Sequence, residues 1–368
     1  MTEVLLRELT NSDIDWILAT GQREEITAGT ILIRQGTPVD ALYILLDGAL
    51  SVSVAQADDN PIGRAFAALE GGELSGREIA RLANGEVVGE MPFLASYQSS
   101  TTVKAARKSL VLMIPQQQLI QKLQEDITFA AHFYRAIAVL LAHRLEQMIT
   151  QIGQSTVVLF QPQIREILFT FAELNDSDIG WMIVAGNAIR IPAGSVLFQA
   201  GRPVDALYIL LDGKMVASIA EDTSNPLTRA FSTLEQTDHK DHIEREFAKL
   251  SRGDIVGETP FVEASPPAMT IRAVDDAMVL SIPKWRLSAK LLHDVAFAAR
   301  FYRVLAILLA DKQQGIINSL GYGRITYSSG QSLDERLTYE DELSSGFLAQ
   351  VTLAGTRFDW MLKQIRGN

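Results

Sequence analysis

The chain has 368 residues, of which 47% are hydrophobic and 21% charged, enough apolar material for two packed cores and too much for wholesale disorder. Its formal net charge of -11 opposes binding to duplex nucleic acid, whose phosphates need a basic surface. There is no cysteine, which removes disulfides, thiolate metal ligands and cysteine nucleophiles together.

The segment from Met1 to Trp16 carries acids early and lacks the basic-then-apolar order of a secretory leader. It reads as a short helical lead-in that ends in a turn at Ala28-Gly29. Short apolar runs split by glycines follow: ILIRQG, ALYILLDG and SVSVA. Ser51-Val52-Ser53-Val54 alternates with period two, the signature of a half-buried strand. Further on the period becomes helical, with Phe129, Phe133, Ile137, Leu140, Leu141, Leu145 and Met148 at steps of three and four. The order then repeats. VDALYILLDG, Val39 to Gly48, returns unchanged at Val204 to Gly213, an offset of 165. Ser12-Asp13-Ile14 matches Ser177-Asp178-Ile179, Gly29 matches Gly194, Gly36 matches Gly201, and Arg64-Ala65-Phe66 matches Arg229-Ala230-Phe231. Beyond Phe231 the offset becomes 168, aligning Gly89-Glu90 with Gly257-Glu258 and Phe133-Tyr134-Arg135 with Phe301-Tyr302-Arg303. A period this long means two whole domains rather than a solenoid.

The expected fold is therefore mainly β with helices: two β-rolls of jelly-roll type, each followed by a long amphipathic helix, and a C-terminal helical tail. The expected boundaries are residues 1–155, 156–320 and 321–368. The longest apolar runs, such as Ala136–Ala142 and Val304–Ala310, fall far short of the ~20 residues that span a bilayer. A cytoplasmic protein without membrane insertion is expected.

The glycines, Tyr43-Ile44 through Gly48, Gly85 leading into Gly89-Glu90, and Thr102-Val103-Lys104-Ala105 resemble the cyclic nucleotide-binding domain of catabolite-activator-type regulators and kinase regulatory subunits. The second copy repeats the set with Tyr208 to Gly213, Gly253, Gly257-Glu258 and Thr270-Ile271-Arg272-Ala273. The resemblance implies a phosphate-binding cassette opened by the Gly-Glu pair. In it the glutamate takes the ribose 2'-hydroxyl, a short helix faces the cyclic phosphate, and an arginine pairs with its charge. That arginine is missing. Its place is taken by Ser99 or Ser100 in the first copy and by Pro267 or Ala268 in the second. Losing one partner of a buried charge pair typically costs about 2–5 kcal/mol, roughly thirty-fold or more in affinity. Cyclic AMP and cyclic GMP are thus disfavoured, no cofactor is expected, and the candidate ligand-binding residues are those of an eroded cassette: Gly89, Glu90, Ser99, Ser100, Thr101, Gly257 and Glu258. A substitute cation would have to come from Lys104, Arg272, or the loop residues Arg64, Arg77, Arg229 and Arg245.

His239 and His242 form an H-x-x-H in a charged loop and read as solvated rather than metal-binding. No nucleophile triad, P-loop or dinucleotide fingerprint is present, so catalysis is not expected. From Gly346 onward, Phe347, Leu348, Val351, Phe358, Met361, Leu362 and Ile365 fit one helical face, either a cap on the second roll or a docking peptide. Among proteins with two such domains and no output domain, the chain most resembles cyanobacterial proteins associated with bacteriocin-type export operons. That likeness implies a regulatory or scaffold role beside a peptide export system, through a protein partner and without nucleic acid. The helices after each roll offer a surface for pairing within the chain or for a dimer. The alternative function is a cyclic nucleotide sensor binding its ligand in the first domain.

Overall fold

The computed structural model describes residues 2–55, 76–94, 99, 101–152, 170–220, 244–262, 266–319 and 345–367. The chain divides into two compact units, residues 1–141 with 292–349 and residues 142–291 with 350–368.

The first unit opens with α1 (Thr2–Glu8) and α2 (Asn11–Thr20). Thr10 caps α2 reciprocally: its Oγ1 accepts from the Asp13 amide at 3.3 Å, and its own amide donates to Asp13 Oδ2 at 2.8 Å. The roll follows as β1 (Gln22–Ile26), β2 (Ile31–Ile33), β3 (Ala41–Asp47), β4 (Leu50–Ala55), β5 (Gly76–Leu82), β6 (Val87–Val88), β7 (Thr102–Ala105) and β8 (Ser109–Pro115). These strands form two antiparallel sheets, ordered β1-β8-β3-β6 and β2-β7-β4-β5. Between them lies a core of Ile33, Val39, Leu45, Leu50, Leu82, Val88, Val103, Ala105 and Val111. The short helix α3 (Met91–Leu94) leaves β6, and α4 (Gln116–Glu125) and α5 (Ile127–Ile152) leave β8.

The second roll repeats this after α6 (Asp176–Ala185): β9 (Asn187–Ile191), β10 (Val196–Phe198), β11 (Ala206–Asp212), β12 (Met215–Ala220), β13 (Glu244–Leu250), β14 (Ile255–Val256), α7 (Thr259–Val262), β15 (Thr270–Ala273), β16 (Ala277–Pro283) and α8 (Lys284–His293). Its sheets are ordered β9-β16-β11-β14 and β10-β15-β12-β13. Even the irregularities repeat, with register shifts at Val52/Ser53 and again at Ala217/Ser218. The expected architecture of two rolls with trailing helices is what the structure shows.

Two strands escape the sequence pattern. β1 and β9 occupy sheet edges, where the expected lead-in ran directly to a glycine turn. β1 reads QREEI, and an edge strand carries charges because one side faces water and an unpaired edge is safest when charged. Lys108, just before β8, pairs with Glu25 of β1 at 2.7 Å.

Within the first unit, α5 lies against α9 (Val295–Ser319). The Arg303 guanidinium sits over the Tyr134 ring at 5.9 Å, and Arg135 sits over Tyr302 at 5.7 Å. These are equivalent residues of the two copies, exchanged. Farther along, Gln313 Nε2 donates to the Leu141 carbonyl at 2.6 Å, so the helices run in the same direction. The apolar stripe expected on α5 is buried from Phe129 to Leu145, while Met148 is partly exposed.

In the second unit the tail forms α10 (Ser345–Gly367), one helix through Gly355. Phe358 packs edge-to-face on Phe171 at 5.1 Å. Arg357 Nη1 donates to the carbonyls of Phe171, Ala172 and Leu174 at 3.0, 3.1 and 2.6 Å. Of the two expected roles, capping the second roll is the one seen.

Candidate functional site

The two Gly-Glu pairs sit at the ends of β6 and β14, each opening into a short helix. Gly89 has φ +85, and a Cβ there would lie 2.4 Å from the Ala41 carbonyl oxygen. Gly257 has φ +80, with the Ala206 oxygen at 2.6 Å. The glycines are thus required by the close approach of backbone to the neighbouring strand, independently of any ligand. Glu90 and Glu258 are buried, 9% and 8% exposed, and their carbonyls accept from the Phe93 and Phe261 amides that begin α3 and α7.

Beside each pair stands a tyrosine on the adjacent strand. Burial pushes the Tyr43 phenol above the usual range, with Asp40 and Glu24 adding to it. Burial does the same to Tyr208, Asp205 adding and a hydrogen bond with Ser281 opposing. Both remain neutral and offer no cation to an anionic ligand.

The backbone aligns the cassette loops of the two copies. The Gly36 amide donates to the Ser99 carbonyl at 2.7 Å, and the Ser99 amide donates to the Thr37 carbonyl at 3.2 Å. In the second copy the Gly201 amide donates to the Pro267 carbonyl at 2.9 Å. The return bond cannot form there, since proline has no N–H. Ser99 and Pro267 are therefore structural equivalents. Ser99 Oγ donates to the Thr101 carbonyl at 2.8 Å, bringing two of the candidate residues together. Ser100 lies outside the described residues.

Both substitute cations on the strands have described contacts at the turns before β2 and β10. Arg272 Nη1 donates to the Gly194 carbonyl at 2.9 Å, in the turn before β10. The Lys104 Cε lies 3.9 Å from where a Gly29 Cβ would be, over the equivalent turn. That turn bonds Ala105, at the end of β7 away from Ser99. Arg64 and Arg229, with His239 and His242, lie outside the described residues, as do the side chains of Arg77 and Arg245.

Two site features had only a faint signal in the sequence. Thr102 Oγ1 accepts from the Gln35 amide and Thr270 Oγ1 from the Ala200 amide, both at 3.1 Å, fixing the turn that faces the cassette. A threonine repeated at one position of both copies was the available clue. The other feature is α3 itself. Tyr134 Oη donates to the Phe93 carbonyl at 3.5 Å, Phe93 meets Phe133 edge-to-face at 6.2 Å, and α9 also packs against α3. No spacing along the chain announces that a helix from the second copy touches the first cassette.

The model of the cyclic nucleotide-binding domain matches residues 23–126 and 188–294, more than half of the chain. The chain belongs to the cyclic nucleotide-binding domain family. It is similar to lysophospholipase NTE1 of Candida glabrata, 20% identical over 317 residues that make up 86% of this chain and 16% of that protein. It is similar to patatin-like phospholipase domain-containing protein 7 of Rattus norvegicus, 21% identical over 81% of this chain and 17% of that one. The chain spans about a sixth of the length of these relatives. Among solved structures, the guanosine-bound regulatory subunit of a cAMP-independent protein kinase A from Trypanosoma cruzi matches at 15% identity and TM-score 0.27, covering 81% of this chain and 82% of that one. The catabolite activator protein of Thermus thermophilus matches at 19% identity and TM-score 0.31, over 52% and 75%. No helix among the described residues is long and apolar enough to cross a membrane.

Proposed function

We propose that this chain is a non-enzymatic regulatory or scaffold protein whose two cyclic nucleotide-binding domains have lost their nucleotide sites and kept their framework. One observation carries the reading. Ser99 and Pro267, which the residue count from the Gly-Glu pairs sets where the resemblance expects a phosphate-binding arginine, have carbonyls that accept from the Gly36 and Gly201 amides. A bound cyclic phosphate beside the buried Glu90 would draw no guanidinium from position 99, where the side chain is a serine. In low dielectric that imbalance is worth several kcal/mol against binding. What remains useful is the shape: α3 is held by α5 and by α9, so a partner that moves either helix moves the cassette.

The deciding measurement is titration calorimetry of the full chain with cyclic AMP, cyclic GMP and a cyclic dinucleotide. The expected result is no saturable heat, with Ser99→Arg raising affinity by about thirty-fold or more into the measurable range. Micromolar binding by the wild-type chain, abolished by Glu90→Ala, overturns the reading in favour of a nucleotide sensor in the first domain. The retained glutamate is what favours that second reading. The likeness to bacteriocin-export-associated proteins supplies the cellular setting of the proposal, and co-purification with a component of a peptide exporter is its test. Repeated recovery of unrelated housekeeping proteins alone counts against that setting.

A further inference from the structure

The two copies differ most sharply on the helix that leaves the last strand. In the first copy α4 reads QQQLIQKLQE, and its outward residues Gln117, Gln121 and Gln124 are polar and exposed. In the second, α8 reads KWRLSAKLLH and puts Trp285, Ala289 and Leu292 at the same three places. Positions i, i+4 and i+7 share one face. Leu287, wholly buried, points the opposite face into the roll, so the outer stripe takes no part in the core. Trp285 is 69% exposed and Leu292 76%. Arg286 Nη1 donates to the Ala185 carbonyl at 3.1 Å, which sets the end of α6, with Val184 80% exposed, beside α8.

The charges change with the apolar residues. Lys122 and Glu125 balance on α4, whereas α8 carries Lys284, Arg286 and Lys290 and no acid, within a chain of net charge -11. The nearest acid along the chain, Asp294, has its Oδ1 engaged by the Phe297 amide at 2.9 Å as the cap of α9.

We propose that α8, with Val184, is a surface that docks on an anionic lipid bilayer. A tryptophan and a leucine projecting outward with cations on both flanks is the chemistry of an interfacial helix, whose apolar side chains enter the headgroup boundary while its cations meet lipid phosphates. An acidic protein partner would be gripped by a concave, half-buried groove, and side chains exposed by 69–80% form a ridge instead. The contact is with the membrane surface and requires no spanning segment. It is independent of whether either cassette binds a nucleotide.

The experiment is flotation of the full chain with vesicles of phosphatidylcholine alone and of phosphatidylcholine with one-third phosphatidylglycerol. Partition into the anionic vesicles is expected to exceed that into neutral ones by about tenfold and to fall with added salt. Lys284→Gln is expected to weaken it about fivefold. Trp285→Gln combined with Leu292→Gln is expected to abolish it while leaving the melting temperature unchanged, because glutamine already occupies these fold positions in the first copy. Equal partition into both vesicles, no partition, or full partition of the double variant overturns the proposal. A chain that ignores both vesicles and binds polyglutamate through Trp285 overturns it in favour of an acidic protein partner.

Discussion

The first and second rolls are built on the same ten residues, VDALYILLDG, yet differ in the cassette loops and on the helix after the last strand. What they share is what the backbone demands. Gly89 and Gly257 have the same positive φ against the same carbonyl, and Thr102 and Thr270 accept the same amide. What differs is side-chain chemistry facing outward or towards a ligand: Ser99 against Pro267, Gln117 against Trp285. A duplicated fold keeps the glycines and threonines that its strand backbone needs and changes more freely elsewhere.

The largest expected effect tests that claim directly. Gly89→Ala and Gly257→Ala should each cost about 3 kcal/mol or more, because a Cβ would strike a carbonyl that belongs to a strand and cannot give way. Gly201→Ala, with nothing within 4 Å of its Cβ, should cost only about 1 kcal/mol, the price of its positive φ. Urea denaturation of the three variants separates the cases, and equal losses would break the comparison.

Next comes the helix that only the second roll has in the described structure. Arg357→Ala removes a cation that serves three carbonyls, and a loss of about 2 kcal/mol is expected. The exposed Asp176 partner adds little, so Asp176→Ala should change stability by no more than about 0.5 kcal/mol. Limited proteolysis of Arg357→Ala should release the C-terminal helix first.

A smaller effect belongs to the first roll. Burial pushes the Asp13 carboxyl up, but the Thr10 hydroxyl and amide and His132 outweigh it and hold it below the usual 3.8. A carboxyl held lower in the folded chain stabilises above the unfolded value and loses that contribution as pH falls through the folded one. Asp13→Ala should therefore cost about 1–2 kcal/mol at neutral pH and less as the pH drops below 4. Melting temperature against pH for wild type and variant shows the two curves converging in acid.

Smallest of all is the hydroxyl that fixes the turn facing the cassette. Thr270→Val, at a buried site, should cost about 1 kcal/mol, and Thr102→Val, partly exposed, about half that. Hydrogen exchange at Ala200 and Gln35 reports the loss residue by residue.

The architecture was legible because it rests on local signals repeated twice. Ser51 to Val54 alternates, the glycines fall at turns, and Phe129 to Leu145 keeps a helical step. The charged strand β1 was not legible, since an edge strand needs neither alternation nor apolar content. At the site, the residue types near each Gly-Glu pair could be read from the chain, but matching Ser99 to Pro267 took the carbonyls that Gly36 and Gly201 reach.

Taken alone, the amino-acid order determined a duplicated roll and its trailing helices, because periodicity and residue identity are properties of the chain itself. Tertiary structure decided the rest. It set α9 against α3, gave the tail helix to the second roll and turned Trp285 and Leu292 away from the core. Which surfaces meet depends on packing between residues far apart along the chain, and a single helical period cannot say whether its apolar face looks inward or out.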